Sequence, residues 1–273
     1  MTWPFTPHTS FVDDSTPSIN ADFLNQLQEG VNAAAAAAYW AQPRCSHFCD
    51  DGTTISIYPT KAIVKDSSTS RYVAVDIPFS QIDVGDLVPS SASFAASSWF
   101  YVYATATDGV LGFEISATGP DQTTALVCKS GVSPVETHRY LGCFRTDNSG
   151  GATGAVVPYL CTRGRYTYDE NLGSHSSLAA TSWTSLSLTS ADYSGLLVPP
   201  HVTHPILIIS NNGAYTAQFR PTGTSYTTRA RAVSGYAQGA VVEMRCSDSQ
   251  SVDYKISSGG GDVSFSVGGF VEW

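Results

Sequence analysis

Apolar positions change their period once along the chain, near residue 50, and the change separates a helix from a series of strands. Pro4, Pro7 and Pro17 interrupt any regular element before Ser18, so the first residues are expected as an extended arm. Beyond them Asn20 is placed to cap a helix with Asp22 in its first turn. Phe23, Leu24, Leu27 and Val31 then recur at helical spacing. The stripe continues into six alanines, Ala33 to Ala38, and into Tyr39 and Trp40 before Pro43 ends the element. A lone amphipathic helix cannot bury such a stripe. It must dock on its own domain, on another subunit or on a partner.

From about residue 52 the period becomes two. Thr54 to Tyr58, Lys61 to Val64 and Arg71 to Val75 are expected as short strands, rich in β-branched and aromatic residues. The strongest hairpin pattern joins Ser98 to Ala104, through Asp108-Gly109, to Val110 to Ser116. Strands at Leu126 to Lys129 and His138 to Thr146 lead into a Gly-rich stretch at 147–154, and a domain boundary is expected between about 155 and 180. Seven further strands follow: Thr184 to Thr189, Pro205 to Ser210, Ala214 to Arg220, Thr227 to Val233, Ala240 to Cys246, Ser251 to Ile256 and Val263 to Val267. Their number and spacing predict a sandwich or jelly roll. The expected fold is mainly β, in three parts. Residues 1–43 form an N-terminal arm and attachment or oligomerisation helix, 44–160 a small antiparallel β domain, and 161–273 a C-terminal β-sandwich or jelly-roll-like domain. The apolar end of the chain, Gly268 to Trp273, is expected to be tied into a sheet or an interface.

Charge narrows the function. Lys and Arg number 14 against 23 Asp and Glu, a net charge of −9, which excludes a general nucleic-acid binder that would neutralise phosphates with a basic face. Charged residues are 14% of the 273, below the roughly 25% usual in soluble domains. No run approaches the ~18 apolar residues of a membrane span, and the N-terminus lacks the basic start and apolar segment of a secretory signal. Synthesis in a cytoplasm, with six reduced cysteines acting mainly as small hydrophobes, is the expectation.

No phosphate-binding glycine loop, nucleophile elbow or zinc-protease motif occurs, so the expectation is no catalytic residue and no cofactor. The nearest approach to a metal site is Cys45-Ser46-His47-Phe48-Cys49-Asp50. Tetrahedral zinc would need a second ligand cluster, and Cys128, Cys143, Cys161 and Cys246 stand singly, so an ordinary strand entry is the other reading. His201-Val202-Thr203-His204 is the second candidate. Three chains could bring such histidines to an axis, but an i, i+3 pair on a strand points to opposite faces, and the prolines around it also suit a stiff connector. Asp83 and Asp86, Asp169 and Glu170, and Asp248 and Asp253 are scattered, and their spacing shows no carboxylate pair across a cleft. Tyr166, Tyr168, Trp183, Tyr193, Tyr215, Tyr226 and Tyr236 are placed in or beside expected loops, with Asn211, Asn212 and Gln218 nearby. Of these, Trp183, Tyr193, Tyr215, Tyr226 and Tyr236 are the candidate contacts to a receptor or glycan, since flat aromatic faces beside amides suit sugars and protein surfaces alike.

Two stretches carry a resemblance to structural proteins of tailed bacteriophages and of related particles such as gene-transfer agents. Ser18-Ile19-Asn20-Ala21-Asp22-Phe23-Leu24-Asn25-Gln26-Leu27-Gln28-Glu29-Gly30-Val31 resembles a helix near the start of phage fibre and tail-attachment proteins. Ser98 to Tyr103, Gly112 to Ser116 and Arg139 to Asp147 are similar to strands of phage fibre-like proteins. The resemblance spans roughly residues 18–165, and its motifs are packing patterns. It implies a non-enzymatic virion protein, a homotrimer held to other particle proteins through its N-terminal segment, with Phe23, Leu24, Leu27, Val31, Tyr39 and Trp40 in attachment and oligomerisation. Its β domains would meet a host-surface glycan or protein. Without collagen-like repeats, β-helix repeats or long heptads, a short fibre or knob is expected rather than a long shaft. A decoration, neck or baseplate connector and a polysaccharide depolymerase are the alternatives.

Overall fold

The computed structural model describes residues 21–40, 44–84, 94–124, 127–148, 155–190, 195–202, 204–213, 215–225, 231–234, 238–247, 249–257 and 263–272. As the change of period predicts, one N-terminal helix precedes a mainly β body. Helix α1 (Ala21–Trp40) is followed by β1 (His47–Cys49), β2 (Thr54–Ile57), β3 (Thr60–Lys65), β4 (Tyr72–Ile77) and β5 (Ser80–Asp83). Next come β6 (Trp99–Thr107), β7 (Val110–Ser116), β8 (Cys128–Lys129), β9 (Val135–Arg145), β10 (Tyr159–Thr162) and β11 (Arg165–Leu178). The last part holds β12 (Thr184–Ser187), β13 (Thr189–Ser190), β14 (Gly195–Leu196), β15 (His204–Asn211) and β16 (Thr216–Pro221). Strands β17 (Arg231–Ser234), β18 (Gln238–Glu243), β19 (Ser251–Ile256) and β20 (Val263–Val271) complete it.

Antiparallel pairing gathers β18-β15-β20-β11-β10-β1-β2-β5 into an eight-stranded sheet, β7-β6-β9-β8 into a second and β12-β19-β16-β17 into a third. The pairs β3-β4 and β13-β14 stand beside them. The largest sheet draws strands from both sides of residue 160, and β10 itself spans that position. Among the described residues the larger of two apolar clusters runs from Cys45 to Phe270, and a small one holds Val127 and Cys128. The chain end is tied down, as expected: β20 lies between β15 and β11 in the middle of the sheet.

Residues 159–178 form the β10–β11 hairpin. Its two-residue turn, Arg163-Gly164, has φ of 51° and 85°, like Asp108-Gly109 at 51° and 75° in the hairpin that the sequence did announce. Both residues of such a turn need positive φ, which glycine supplies at the second position without strain.

Along the eight-stranded sheet the period of two sorts residues onto two faces. The inner face carries a row of registered partners, His47, Cys161, Tyr166 and Phe270, and a second row of Cys49, Tyr159 and Tyr168. The second sheet covers this face, with Trp99 edge-on to Phe270 at 5.6 Å.

Two bulges set what meets between the sheets. In β9 the register steps from Val102–Gly142 to Tyr103–Tyr140, so Leu141 is an extra residue. Tyr140 and Cys143, three apart, therefore share a face that a regular strand would have divided between them. In β20 the register steps from Leu207–Val267 to Ile206–Gly269, leaving Gly268 extra. Val263, Phe265 and Val267 face the core before that step, and Phe270 and Glu272 face it after. Space fixes a glycine beside each bulge. A Cβ at Gly142 would stand 1.9 Å from His47 Nε2, and one at Gly269 2.0 Å from the Tyr166 carbonyl oxygen.

Candidate functional site

The polar groups brought together between the sheets centre on Glu272, whose side chain is 1% exposed. Its Oε1 accepts from the Tyr140 hydroxyl at 2.6 Å, from His201 Nε2 at 2.9 Å and from the Cys143 thiol at 3.3 Å. The donors come from β9 and from the turn before β15, closed by the Val202 amide donating to the Pro199 carbonyl. Burial opposes ionisation of Glu272. The hydrogen bond and charge of His201, the charge of Arg44 and the Tyr140 hydroxyl outweigh it and hold the carboxyl below the usual carboxylate range. Arg44 also lies over the Tyr140 ring, 5.3 Å from its centroid.

A second group adjoins it. The Cys143 amide donates to the Tyr166 hydroxyl at 2.9 Å, and that hydroxyl lies 3.2 Å from His47 Nε2. On the other side of the ring Nδ1 lies 2.7 Å from the Tyr159 hydroxyl, so both ring nitrogens are hydrogen-bonded to tyrosine hydroxyls. Burial lowers the His47 pKa to about 4, the charge of Glu272 opposing it, so the ring is neutral near pH 7.

Burial acts on the thiols as well. All six cysteines are buried, and none is in a disulfide. Burial pushes Cys45 and Cys49 up to about 11 and Cys161 up to about 12, and Cys143 rises well above the ordinary thiol value. None of these four is an activated nucleophile.

The two metal candidates of the sequence separate. Cys45, His47 and Cys49 share the inner face of β1 and its approach, but both His47 nitrogens are taken by tyrosine hydroxyls, and Cys49 Sγ points to Asp51 Oδ1 at 3.9 Å. His201 and His204 part company: His204 opens β15, half-buried, while His201 joins Glu272 and Cys143. Tyr166 and Tyr168, expected in or beside loops, are buried strand residues of β11, because pairing with β10 and β20 extends the sheet through them.

Trp183 is half-buried, with the Arg220 guanidinium 4.2 Å and Lys255 Nζ 4.9 Å from its ring centroid, and Arg220 is paired to Asp253 at 3.1 Å. Tyr215 is half-buried against the core, its carbonyl accepting from the buried Asn211 amide at 2.6 Å. Tyr193, Tyr226 and Tyr236 lie outside the described residues, as do Asp86 and Asp248. Of the helix candidates, Leu27 and Val31 are 48% and 58% exposed. The side chains of Phe23, Leu24, Tyr39 and Trp40 lie outside those described.

On the outer face of the same sheet lies a groove of about 380 Å³ that sequence reasoning missed. Phe48, Tyr58, Leu160 and Thr167 line it together with Asp50 and Asp169. Phe79 extends it, 51% exposed and edge-on to Tyr58 at 6.5 Å. The one available signal is Phe48 and Leu160 standing out of phase with the inward cysteines. That they are neighbours follows only from the register Phe48–Leu160–Thr167.

Comparison with protein-family models and with curated proteins finds no match to this chain.

Proposed function

We propose that this chain is a non-enzymatic structural protein of a phage-type particle, a short fibre or knob on the virion. Its N-terminal helix joins it to identical copies, as a trimer, and to other particle proteins, and its β body meets the host surface. The observation that carries this reading is the exposed face of α1. Leu27, Val31, Ala34 and Ala38 all face solvent, and their spacing of four, three and four residues is the apolar seam of a helix that packs against other helices. Three such helices around one axis would bury the seam that a single chain leaves open. The aromatic groove, opening on the outer face, is the surface offered outward.

The direct test is light scattering of the full chain and of a Leu27→Glu/Val31→Glu variant, together with particle incorporation of a chain lacking residues 1–43. A trimer that the variant disperses, and loss of incorporation on deletion, are expected. A monomeric full chain, or incorporation untouched by the deletion, would overturn the reading.

A second reading, an enzyme acting on host polysaccharide, is favoured by one observation: Asp50 and Asp169 line the same groove, as two carboxylates must in a glycoside hydrolase. Turnover of host polysaccharide that Asp169→Asn abolishes would put it first.

A further inference from the structure

We propose that Cys143, His201 and Glu272 form a binding site for a zinc-type divalent transition-metal ion. The thiol sulfur, an imidazole nitrogen and a carboxylate oxygen lie within 4.8 Å of one another. They come from β9, the turn before β15 and the residue after β20, and only the two bulges bring the first and last to one point. The cluster is closed to solvent: Cys143 is 0% exposed, and the side chains of His201 and Glu272 are 4% and 1% exposed.

A second observation points to a ligand. All three donors converge on Oε1 of Glu272, while Oε2 and His201 Nδ1 are buried with no hydrogen-bond partner. An interior that satisfies its polar groups rarely leaves a carboxylate oxygen orphaned beside a ring of donors. A cation bound through both oxygens of that carboxylate would engage Oε2 as well as Oε1.

The donor set and the spacing suit tetrahedral zinc. Sulfur at ~2.3 Å and nitrogen or oxygen at ~2.0 Å from such an ion stand roughly 3.3 to 3.5 Å from one another. The thiol sulfur lies 3.3 Å and His201 Nε2 2.9 Å from Glu272 Oε1, two edges that reach zinc spacing with an opening of a few tenths of an ångström, while sulfur and Nε2 lie within 4.8 Å of one another. The Tyr140 hydroxyl, 2.6 Å from the same oxygen, or one water would complete four-fold coordination. Binding releases the thiol proton, leaving a thiolate on the metal, and the proton that His201 Nε2 donates to Glu272 moves to Nδ1 or to solvent, so that the Nε2 lone pair takes the metal in place of that hydrogen bond. The Tyr166 hydroxyl, accepting from the Cys143 amide, holds the backbone of the thiolate ligand in place. A site this enclosed loads as the chain folds. This inference is independent of the role proposed on the particle.

The test uses the full chain refolded with zinc and, separately, with EDTA, followed by elemental analysis, thermal denaturation and addition of cobalt(II) during refolding. One metal per chain, a higher melting temperature with zinc, and a near-ultraviolet thiolate-to-cobalt band are expected. Cys143→Ser should remove the band while Cys45→Ser keeps it, and Glu272→Gln and His201→Gln should each weaken metal binding roughly tenfold or more. Metal far below one per chain with the same melting temperature under zinc and EDTA would overturn the site. So would a cobalt band that survives Cys143→Ser. If Cys143→Ser does not fold, stoichiometry and the EDTA comparison on the unchanged sequence still decide the matter.

Discussion

The two faces of the eight-stranded sheet are built from the same strands, one residue out of step, and they solve opposite problems. Inward, His47, Tyr159, Tyr166 and Glu272 are polar groups withdrawn from water, and nearly every donor and acceptor among them is matched. Outward, Phe48, Tyr58, Phe79 and Leu160 are apolar groups left in water, three of them 44% to 51% exposed. The inversion shows where each kind of change will be felt. A buried polar group is expensive to disturb because the interior offers no substitute partner, whereas an exposed ring is released at almost no cost to the fold.

The largest effect is expected where backbone is closely approached inside. Gly269→Ala would set a methyl 2.0 Å from the Tyr166 carbonyl, and Gly142→Ala one 1.9 Å from His47 Nε2. Each should cost about 3 kcal/mol or more, read as a lowered urea midpoint or loss of soluble protein, since strand and ring cannot retreat through a packed core. Midpoints equal to the parent chain would show that the interior is looser than the geometry implies.

Next comes the removal of one inner donor. Tyr140→Phe takes from Glu272 its shortest hydrogen bond and should cost roughly 1.5 to 3 kcal/mol in urea denaturation, the range for a bond to a charged group. The matching outward change, Tyr58→Ser, should stay within about 0.5 kcal/mol.

A pH series separates the faces without mutation. His47 has a folded pKa of about 4 against an ordinary 6.5, so below pH 6.5 the unfolded chain takes up a proton that the folded one refuses. Stability should therefore be full above pH 6.5 and fall as the pH drops towards about 4, with the lowered carboxyl of Glu272 adding loss in the same direction at the acid end. In His47→Gln the fall between pH 6.5 and 4 should be shallower. An unchanged slope would place the acid-sensitive group elsewhere.

The smallest effect on the fold is expected at Phe79→Ser, within about 0.5 kcal/mol, yet a host-surface glycan or protein that uses the groove should lose affinity. Binding unchanged in both Tyr58→Ser and Phe79→Ser would remove the groove from the proposed role.

Much of the fold was legible along the chain. The N-terminal helix, the hairpin at Asp108-Gly109 and the apolar strand near the end all appear where their patterns placed them. Residues 165–178 did not announce themselves, because Asp169-Glu170-Asn171 and Gly173-Ser174-His175-Ser176-Ser177 have weak strand preference. Pairing with β10 and β20 holds them extended. The candidate site was legible in fragments. Cys45, His47 and Cys49 alternate onto one face, as their spacing requires, and His201 stood out between prolines. Glu272 lay unnoticed in an apolar ending, and Cys143 passed as a small hydrophobe.

What the sequence determined alone was local: where a helix gives way to strands, which residues alternate, and which turns need glycine. Those depend on neighbours within a few positions. Tertiary structure decided which strands share a sheet and where a register slips by one. A slip at Leu141 or Gly268 exists only relative to the opposing strand, and each slip reverses the face of every residue beyond it. The meeting of Cys143, His201 and Glu272 depends on both.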